Sequence, residues 1–162
     1  FEKKKSPPIR LGVNGGITDA KPDKDGYVRL QRQWKPGDTI DLDLPMPVRR
    51  VYSHENVGAN RGKVSLMRGP IVYCFEAADN PGVDFNTTTL PNTSVIQAEH
   101  RAGLLGGMTV LKTKGLNEEQ TPIALTAIPY YAWTNREKGP MTVWINETPA
   151  STLKQTFNLN FR

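Results

Sequence analysis

The chain has 162 residues, 37% hydrophobic and 23% charged, with 14 Gly, 13 Pro, one Cys and a formal net charge of +5. That composition suits one ordinary domain or two small ones with a buried core. It argues against long helices, which Gly and Pro destabilise, and one thiol excludes an internal disulfide and any multi-thiolate metal site.

The charge is uneven, with 14 Lys/Arg against 8 Asp/Glu in residues 1–68 and 7 against 8 in residues 69–162. The cations of the first half alternate with apolar residues, as on a solvated sheet face, and lack the aromatic-interleaved pattern of a single-strand binder. No nucleic-acid partner is expected. No apolar run approaches the ~20 residues of a membrane helix, so no membrane partner is expected either. The opening Phe1-Glu2-Lys3-Lys4-Lys5-Ser6-Pro7-Pro8 has a basic run without the apolar stretch of a secretion signal, and reads as a chain entered partway through.

Period-2 alternation dominates the pattern. Ile9–Val13 is a predicted strand ending at the turn dipeptide Asn14-Gly15. A turn cluster from Pro22 to Gly26 leads into a predicted strand Tyr27–Trp34, with Val28, Leu30 and Trp34 on one face. Lys35-Pro36-Gly37-Asp38 has the composition of a β-turn. It delivers Thr39–Leu44, the clearest half-buried strand, with Ile40, Leu42 and Leu44 pointing in and Asp41 and Asp43 out. Pro45 and Pro47 then interrupt the ladder, having no N–H to donate, and an edge segment runs through Val48–Tyr52. A boundary is expected near His54 to Arg61.

Lys63–Met67 and Pro70–Glu76 read as two strands joined by Arg68-Gly69-Pro70, and Asp79 to Asn92 as a loop with at most a short strand. Val95–Ala98, the break at Gly103–Gly107 and the strand Met108–Thr113 follow. Thr121 to Trp133 is apolar with little alternation, as in a strand covered on both faces. Met141–Ile145 and Phe157–Phe161 alternate again. The expectation is an all-β chain of antiparallel β-sandwich or jelly-roll type, one complete sandwich plus part of a second. Residues 1–52 supply about three strands, too few for a sandwich of their own, and are expected to complete a sheet whose other strands lie elsewhere, in part in the tail 153–161 and in part upstream.

Chemistry is sparse. His54 and His100 stand far apart, and Cys74 lies in the dense apolar run Pro70–Glu76, where an inert buried thiol is expected rather than a nucleophile. No Gly-x-Ser-x-Gly elbow or phosphate loop occurs. Asp41, Asp43, Glu118 and Glu119 read as solvated surface rather than a glycosidase carboxylate pair. The sequons at Asn86, Asn92 and Asn146 matter only in a eukaryotic secreted protein. Tyr130, Tyr131, Trp133 and Trp144 are candidates for sugar stacking, against the commoner role of strand aromatics as core or interface.

The specific signal lies in a series of ordered motifs: Gly26–Leu30, Trp34–Asp38, Asp41–Arg49, then His54, Val57, Asn60-Arg61-Gly62, Val64, Leu66, Arg68-Gly69-Pro70, Val72-Tyr73 and Glu76. Leu105-Gly106-Gly107, Ile128–Arg136 and Met141–Ile145 continue it. Over about residues 9–146 the chain resembles the post-barrel region of glycoside hydrolase family 127, the beta-L-arabinofuranosidase family once catalogued as a domain of unknown function. The resemblance implies a parent with a helical (α/α)6 barrel followed by two β-sandwich domains. Its retaining chemistry would use a cysteine nucleophile at a zinc site of three cysteines and a glutamate, with a glutamate acid/base, all in the barrel. Cys74 matches none of those positions, so no cofactor is expected in this chain and zinc belongs to the barrel.

On this reading the chain is the non-catalytic C-terminal β-sandwich portion of a glycoside hydrolase acting on L-arabinofuranosides or related plant-glycan sugars. Residues 1–54 would finish the first sandwich, residues 55–148 form the second, and the tail 149–162 run back to the first. The chain would serve docking, stability or dimerisation, and its first partner is the upstream helical barrel. The alternative is an independent carbohydrate-binding module. Asn60, Arg61, Arg68 and Glu76 are the expected interdomain contacts, since an Arg fork satisfies several acceptors at once. A homodimer and a carbohydrate remain as further partners. The compartment stays open between periplasmic or extracellular and cytoplasmic, in a glycan-degrading bacterium.

Overall fold

A computed structural model describes residues 8–19 and 21–149. The fold is all-β: among the described residues the only helical elements are three one-turn 3-10 segments, Gly58–Asn60, Ala77–Asp79 and Tyr130–Ala132. No helix among the described residues is long and apolar enough to cross a membrane. The chain divides into two compact units, Phe1–Pro47 and Val48–Arg162.

The first unit holds a three-stranded antiparallel sheet of β1 (Arg10–Val13), β2 (Gly16–Ile17) and β3 (Ile40–Asp43), with β1 in the centre. Asn14 and Gly15, both at positive φ, turn β1 into β2 as the dipeptide predicts. The Asn14 amide also donates to Asp38 Oδ1 at 2.8 Å, and its carbonyl accepts the Thr39 N–H, tying that turn to the Lys35–Asp38 turn. Two expectations change here. Tyr27–Trp34 forms no strand. Asp23 instead accepts the Asp25 and Tyr27 N–H groups and pairs with Arg29, while the Arg32 guanidinium lies 5.0 Å from the Trp34 ring centre, so local contacts replace a ladder. Ile40, Leu42 and Leu44 alternate as expected yet stay 53–56% exposed, because no second layer covers their face.

The second unit contains β4 (Val48–Val51), β5 (Lys63–Arg68), β6 (Ile71–Glu76), β7 (Thr89–Pro91), β8 (Gln97–Arg101), β9 (Met108–Leu116), β10 (Pro122–Pro129), β11 (Met141–Thr142) and β12 (Ile145–Thr148). The division at Pro47 precedes the expected 54–61 boundary because Val48–Val51 pairs antiparallel with Ser65–Arg68. Residues 54–61 form tight turns inside this unit, with Val57 N–H donating to His54 O and Arg61 N–H to Gly58 O. Of the expected tail strand, residues 150–162 lie outside the described residues.

Three strands divide one edge between two neighbours. β5 pairs with β12 through Lys63 and Val64 and with β6 through Met67 and Arg68. β9 divides an edge between β8 and β7, and β6 between β5 and β11. Such splits let one strand serve both layers of a sandwich. The pairings β5–β6–β10–β9–β7–β12–β5 thereby close around a core. All are antiparallel except β7 with β12.

The main core contains Val64, Leu66, Tyr73, Phe75, Leu90, Leu111, Leu125 and Ile145, all nearly inaccessible to solvent. Alternation along β6 sends Tyr73 and Phe75 inward and Cys74 to the opposite face. There Cys74, Met108, Val110, Ile128 and Ala132 make a second cluster, covered by Leu104, Met141 and Val143. Both faces are buried only toward the end of β10, at Leu125 and Ala127–Pro129. Gly115 on β9 marks a close approach: a Cβ there would stand 2.5 Å from Leu125 Cδ1 and 2.9 Å from Thr89 O.

Candidate functional site

β6 ends at Glu76, where burial pattern and sequence part company, since alternation places an ionisable side chain at a position only 3% exposed. The partner comes from sixty residues downstream. Arg136 Nη2 bonds both Glu76 Oε1 and Asp79 Oδ2, and its Nη1 donates to Asp79 Oδ1 at 2.9 Å. The Asp79 hydrogen bond, followed by that of Glu76, holds the guanidinium firmly in its charged form against the opposing cost of burial. Thr134 N–H donates to Glu76 Oε2 at 3.2 Å, with Thr134 itself at φ 58°.

Next to this cluster the buried Asn80 completes two strands. Its amide donates to Glu76 O and Thr126 O and its carbonyl accepts Thr126 N–H, each at 2.8 Å. It therefore stands in for a missing strand at the β6–β10 seam, and meets the backbone demands that a buried edge imposes.

The carboxylate–arginine cluster braces the turn that follows β10. Pro129 enters the 3-10 turn Tyr130–Ala132, in which Ala132 is buried while Tyr130, Tyr131 and Trp133 are exposed. The Tyr130 and Trp133 rings stack at 5.9 Å with planes 27° apart. Tyr131 is 67% exposed. Thus Glu76 is satisfied within its own unit, and it fixes the backbone that displays three of the four sequence-predicted aromatics.

The fourth aromatic belongs elsewhere. Trp144, half-buried, sits where the expected continuous strand 141–145 breaks between β11 and β12, and Thr142 Oγ1 donates to its carbonyl at 2.9 Å. It lines a cleft of about 540 Å3 between residues 82–86 and 140–146. The four aromatics therefore form no single row.

Arg68, at the end of β5, stands beside the Tyr73 phenol, whose hydroxyl donates to Thr109 O at 2.8 Å. Burial pushes that phenol above its ordinary range, and the Arg68 cation opposes the shift. Asn60 and Arg61 lie on the separate 58–61 turn, with no contact to Glu76. Arg61 is exposed, and its guanidinium has no partner among the described residues.

Cys74 is fully buried, and that burial, reinforced by the negative charges of Glu76 and Asp79, pushes its thiol up to about 12. Among the described residues no three His, Cys, Asp or Glu side chains gather as metal ligands.

Sequence reasoning missed a second polar lock. Arg50 Nη1 donates to Glu147 Oε1 at 2.8 Å, and its Nη2 to Pro91 O at 2.8 Å and Ser94 O at 3.2 Å. Tyr52 adds its hydroxyl to Glu147 at 3.0 Å. One guanidinium thus joins β4 to β12 and the end of β7. The only signal for it was a pair of arginines, Arg49 and Arg50, between the two valines of a short strand. Arg136 stood inside the quoted run Ile128–Arg136 but carried no mark of its partner.

The model of the glycoside hydrolase family 127 C-terminal domain matches residues 48–146, and that of the beta-L-arabinofuranosidase GH127 middle domain matches residues 5–46. A non-reducing end beta-L-arabinofuranosidase of Bifidobacterium longum subsp. longum is 33% identical over 142 residues, covering 75% of this chain and 21% of the relative. The crystal structure of a GH127 beta-L-arabinofuranosidase from Geobacillus stearothermophilus T6 superposes with TM-score 0.74 at 36% identity, covering 88% of this chain and 25% of that one. A second GH127 beta-arabinofuranosidase gives TM-score 0.74 at 31% identity, covering 90% and 24%. The chain therefore spans about a fifth to a quarter of the length of these relatives, and the join between the two matched regions coincides with the division at Pro47–Val48. By the reach of these matches, the chain belongs to glycoside hydrolase family 127, of which it carries the C-terminal domain and part of the middle domain.

Proposed function

We propose that this chain is a non-catalytic support region of a family 127 hydrolase acting on L-arabinofuranosides, and that it docks against the helical barrel of its parent. The observation that carries the reading is the braced aromatic turn. Tyr130, Tyr131 and Trp133 are large, exposed and held on a backbone locked by the buried Glu76–Arg136–Asp79 cluster. A rigid, exposed aromatic group is the usual core of a protein interface. Arg68, beside Tyr73, would supply part of its polar rim, while Asn60 and Arg61, on the separate 58–61 turn, would meet the barrel at another point and Glu76 acts indirectly through Arg136 and Thr134.

The uncovered apolar row Ile40, Leu42 and Leu44 supports the same reading. It is the inner face of a sheet whose other layer belongs to the remainder of the middle domain. Residues before the division would finish the first sandwich and those after it would form the second. The single cysteine of the chain leaves a three-cysteine zinc site to the parent's barrel.

The test supplies the parent's barrel in trans. Co-elution with this chain is expected, weakened at least tenfold by Trp133→Ala. Absence of association, or self-association of the chain in its place on sedimentation, refutes docking. Turnover of a chromogenic L-arabinofuranoside by the chain alone refutes the non-catalytic role.

A further inference from the structure

The cleft beside Trp144 has no part in the docking role. Its walls come from the loop 82–86 and the interrupted strand 140–146, with Lys63 of β5 also in its lining. Its volume of about 540 Å3 lies within the ~300–1,000 Å3 of small-molecule sites and holds about two or three monosaccharide rings.

The lining is divided in a way that suits one class of ligand. Trp144 offers an indole whose N–H is unpaired among the described residues, and Met141 extends its apolar side. Around it stand Lys63, Asp84, Asn86 and Asn146. Two of these are anchored from behind. Asp84 Oδ1 accepts the Asn86 N–H at 2.9 Å, and Asn146 Nδ2 donates to Asn86 O at 2.9 Å. Those bonds fix the loop while leaving Asp84 Oδ2, Asn146 Oδ1, the Asn86 amide and the Lys63 ammonium without partners among the described residues. Lys63 and Asp84 line one cleft without pairing with each other.

We infer that this cleft is a carbohydrate-binding site for a short neutral oligosaccharide. A sugar ring presents an apolar C–H face to an indole and hydroxyls to its sides. Each hydroxyl both donates and accepts, so a carboxylate, an ammonium and two amides satisfy a ring of them without leaving a buried group unpaired. A charged ligand fits less well, since the one cation and the one carboxylate oppose each other. The inference goes beyond docking and stands or falls separately from it, because the chain is tested alone.

Three sugars serve as probes: an L-arabinofuranosyl disaccharide, xylotriose and cellotriose, each titrated into 15N-labelled chain. The three tryptophans give three indole N–H resonances. The Trp144 resonance is expected to move saturably with at least one probe, with a Kd on the order of 1 mM. Trp144→Ala should raise that Kd tenfold or more, and Asn86→Ala, at an exposed loop position with no folding role for its amide, about threefold. The inference is overturned if no probe shifts the Trp144 resonance, if the Trp133 resonance responds in its place, or if Asn86→Ala and a folded Trp144→Ala bind unchanged.

Discussion

Replacing Arg136 by Ala isolates what the carboxylate–arginine cluster contributes. The side chains of Glu76 and Asp79 are only 4% and 5% exposed, whereas that of Arg136 is 25% exposed. After truncation Glu76 keeps the Thr134 N–H at 3.2 Å as its remaining side-chain bond, and Asp79 keeps none. Removing one partner of a buried pair costs about 3–5 kcal/mol. Water reaches the guanidinium side of this pair, which lowers the expected loss to about 2–3 kcal/mol. For a unit of this size that is a fall in Tm of very roughly 8–20 °C.

A second substitution separates this mechanism from loss of packing. In the variant two carboxylates are left buried without a cation. Adding Glu76→Gln to Arg136→Ala should therefore recover part of the loss, since one of the unpaired charges is gone. No recovery, or a loss under about 0.5 kcal/mol, the scale of ordinary surface changes, would refute the buried-charge account.

Gly115→Ala forces a Cβ against Leu125 Cδ1 and the Thr89 carbonyl, one of them immobile backbone, so urea unfolding should report a loss of about 1–3 kcal/mol. Arg50→Ala leaves Glu147 with the Tyr52 hydroxyl, Pro91 O with the Ser94 N–H alone and Ser94 O with no partner among the described residues, for about 2–3 kcal/mol, and Lys at this position should restore less than half because it lacks the fork. Cys74 should resist thiol reagents at pH 8 in the folded chain and react fully in urea, as a free-thiol assay will show. Its thiol is raised from 9.0 to about 12 by burial, so the neutral form is favoured by folding. The stability this gives is complete below pH 9 and is lost as pH rises toward 12, and Cys74→Ala should flatten that part of the stability–pH curve relative to wild type.

The sequence-level reading succeeded where a strand is covered on one side by its own unit. Lys63–Arg68 and Ile71–Glu76 were visible as strands with a Gly-Pro turn because their alternation answers to one core within the chain. Alternation says which residues share a face, but not whether a second layer covers that face. Ile40, Leu42 and Leu44 thus alternate as cleanly as any strand here and remain exposed. Tyr27–Trp34 shows the converse limit: its pattern is compatible with a strand, but Asp23, Arg29 and Arg32 spend their groups on local contacts and no neighbour completes a ladder. The boundary shifted for a related reason. Residues 54–61 have the composition of a linker, yet they lie inside the second unit because Val48–Val51 before them pairs with Ser65–Arg68 after them.

Polar locks were legible by half. Glu76 stands out in the sequence as the end of the motif series and as an expected interdomain contact, yet its partner could not be read, because Arg136 reaches it only after the chain has crossed β9 and β10 and turned at Tyr130. The same distance hides the Trp144 cleft. Alternation made Met141–Ile145 one strand, which would place Trp144 in a ladder between two neighbours. The bend at Val143 and Trp144 takes it out of that ladder and sets it against the loop 82–86, whose Asn86 is joined to Asn146 across sixty residues. A site assembled from a broken strand and a distant loop leaves no spacing in the sequence. What the sequence does retain is its chemistry: a tryptophan, two amides, and an acid and a base that do not pair with each other, a combination that no core position of this sandwich requires.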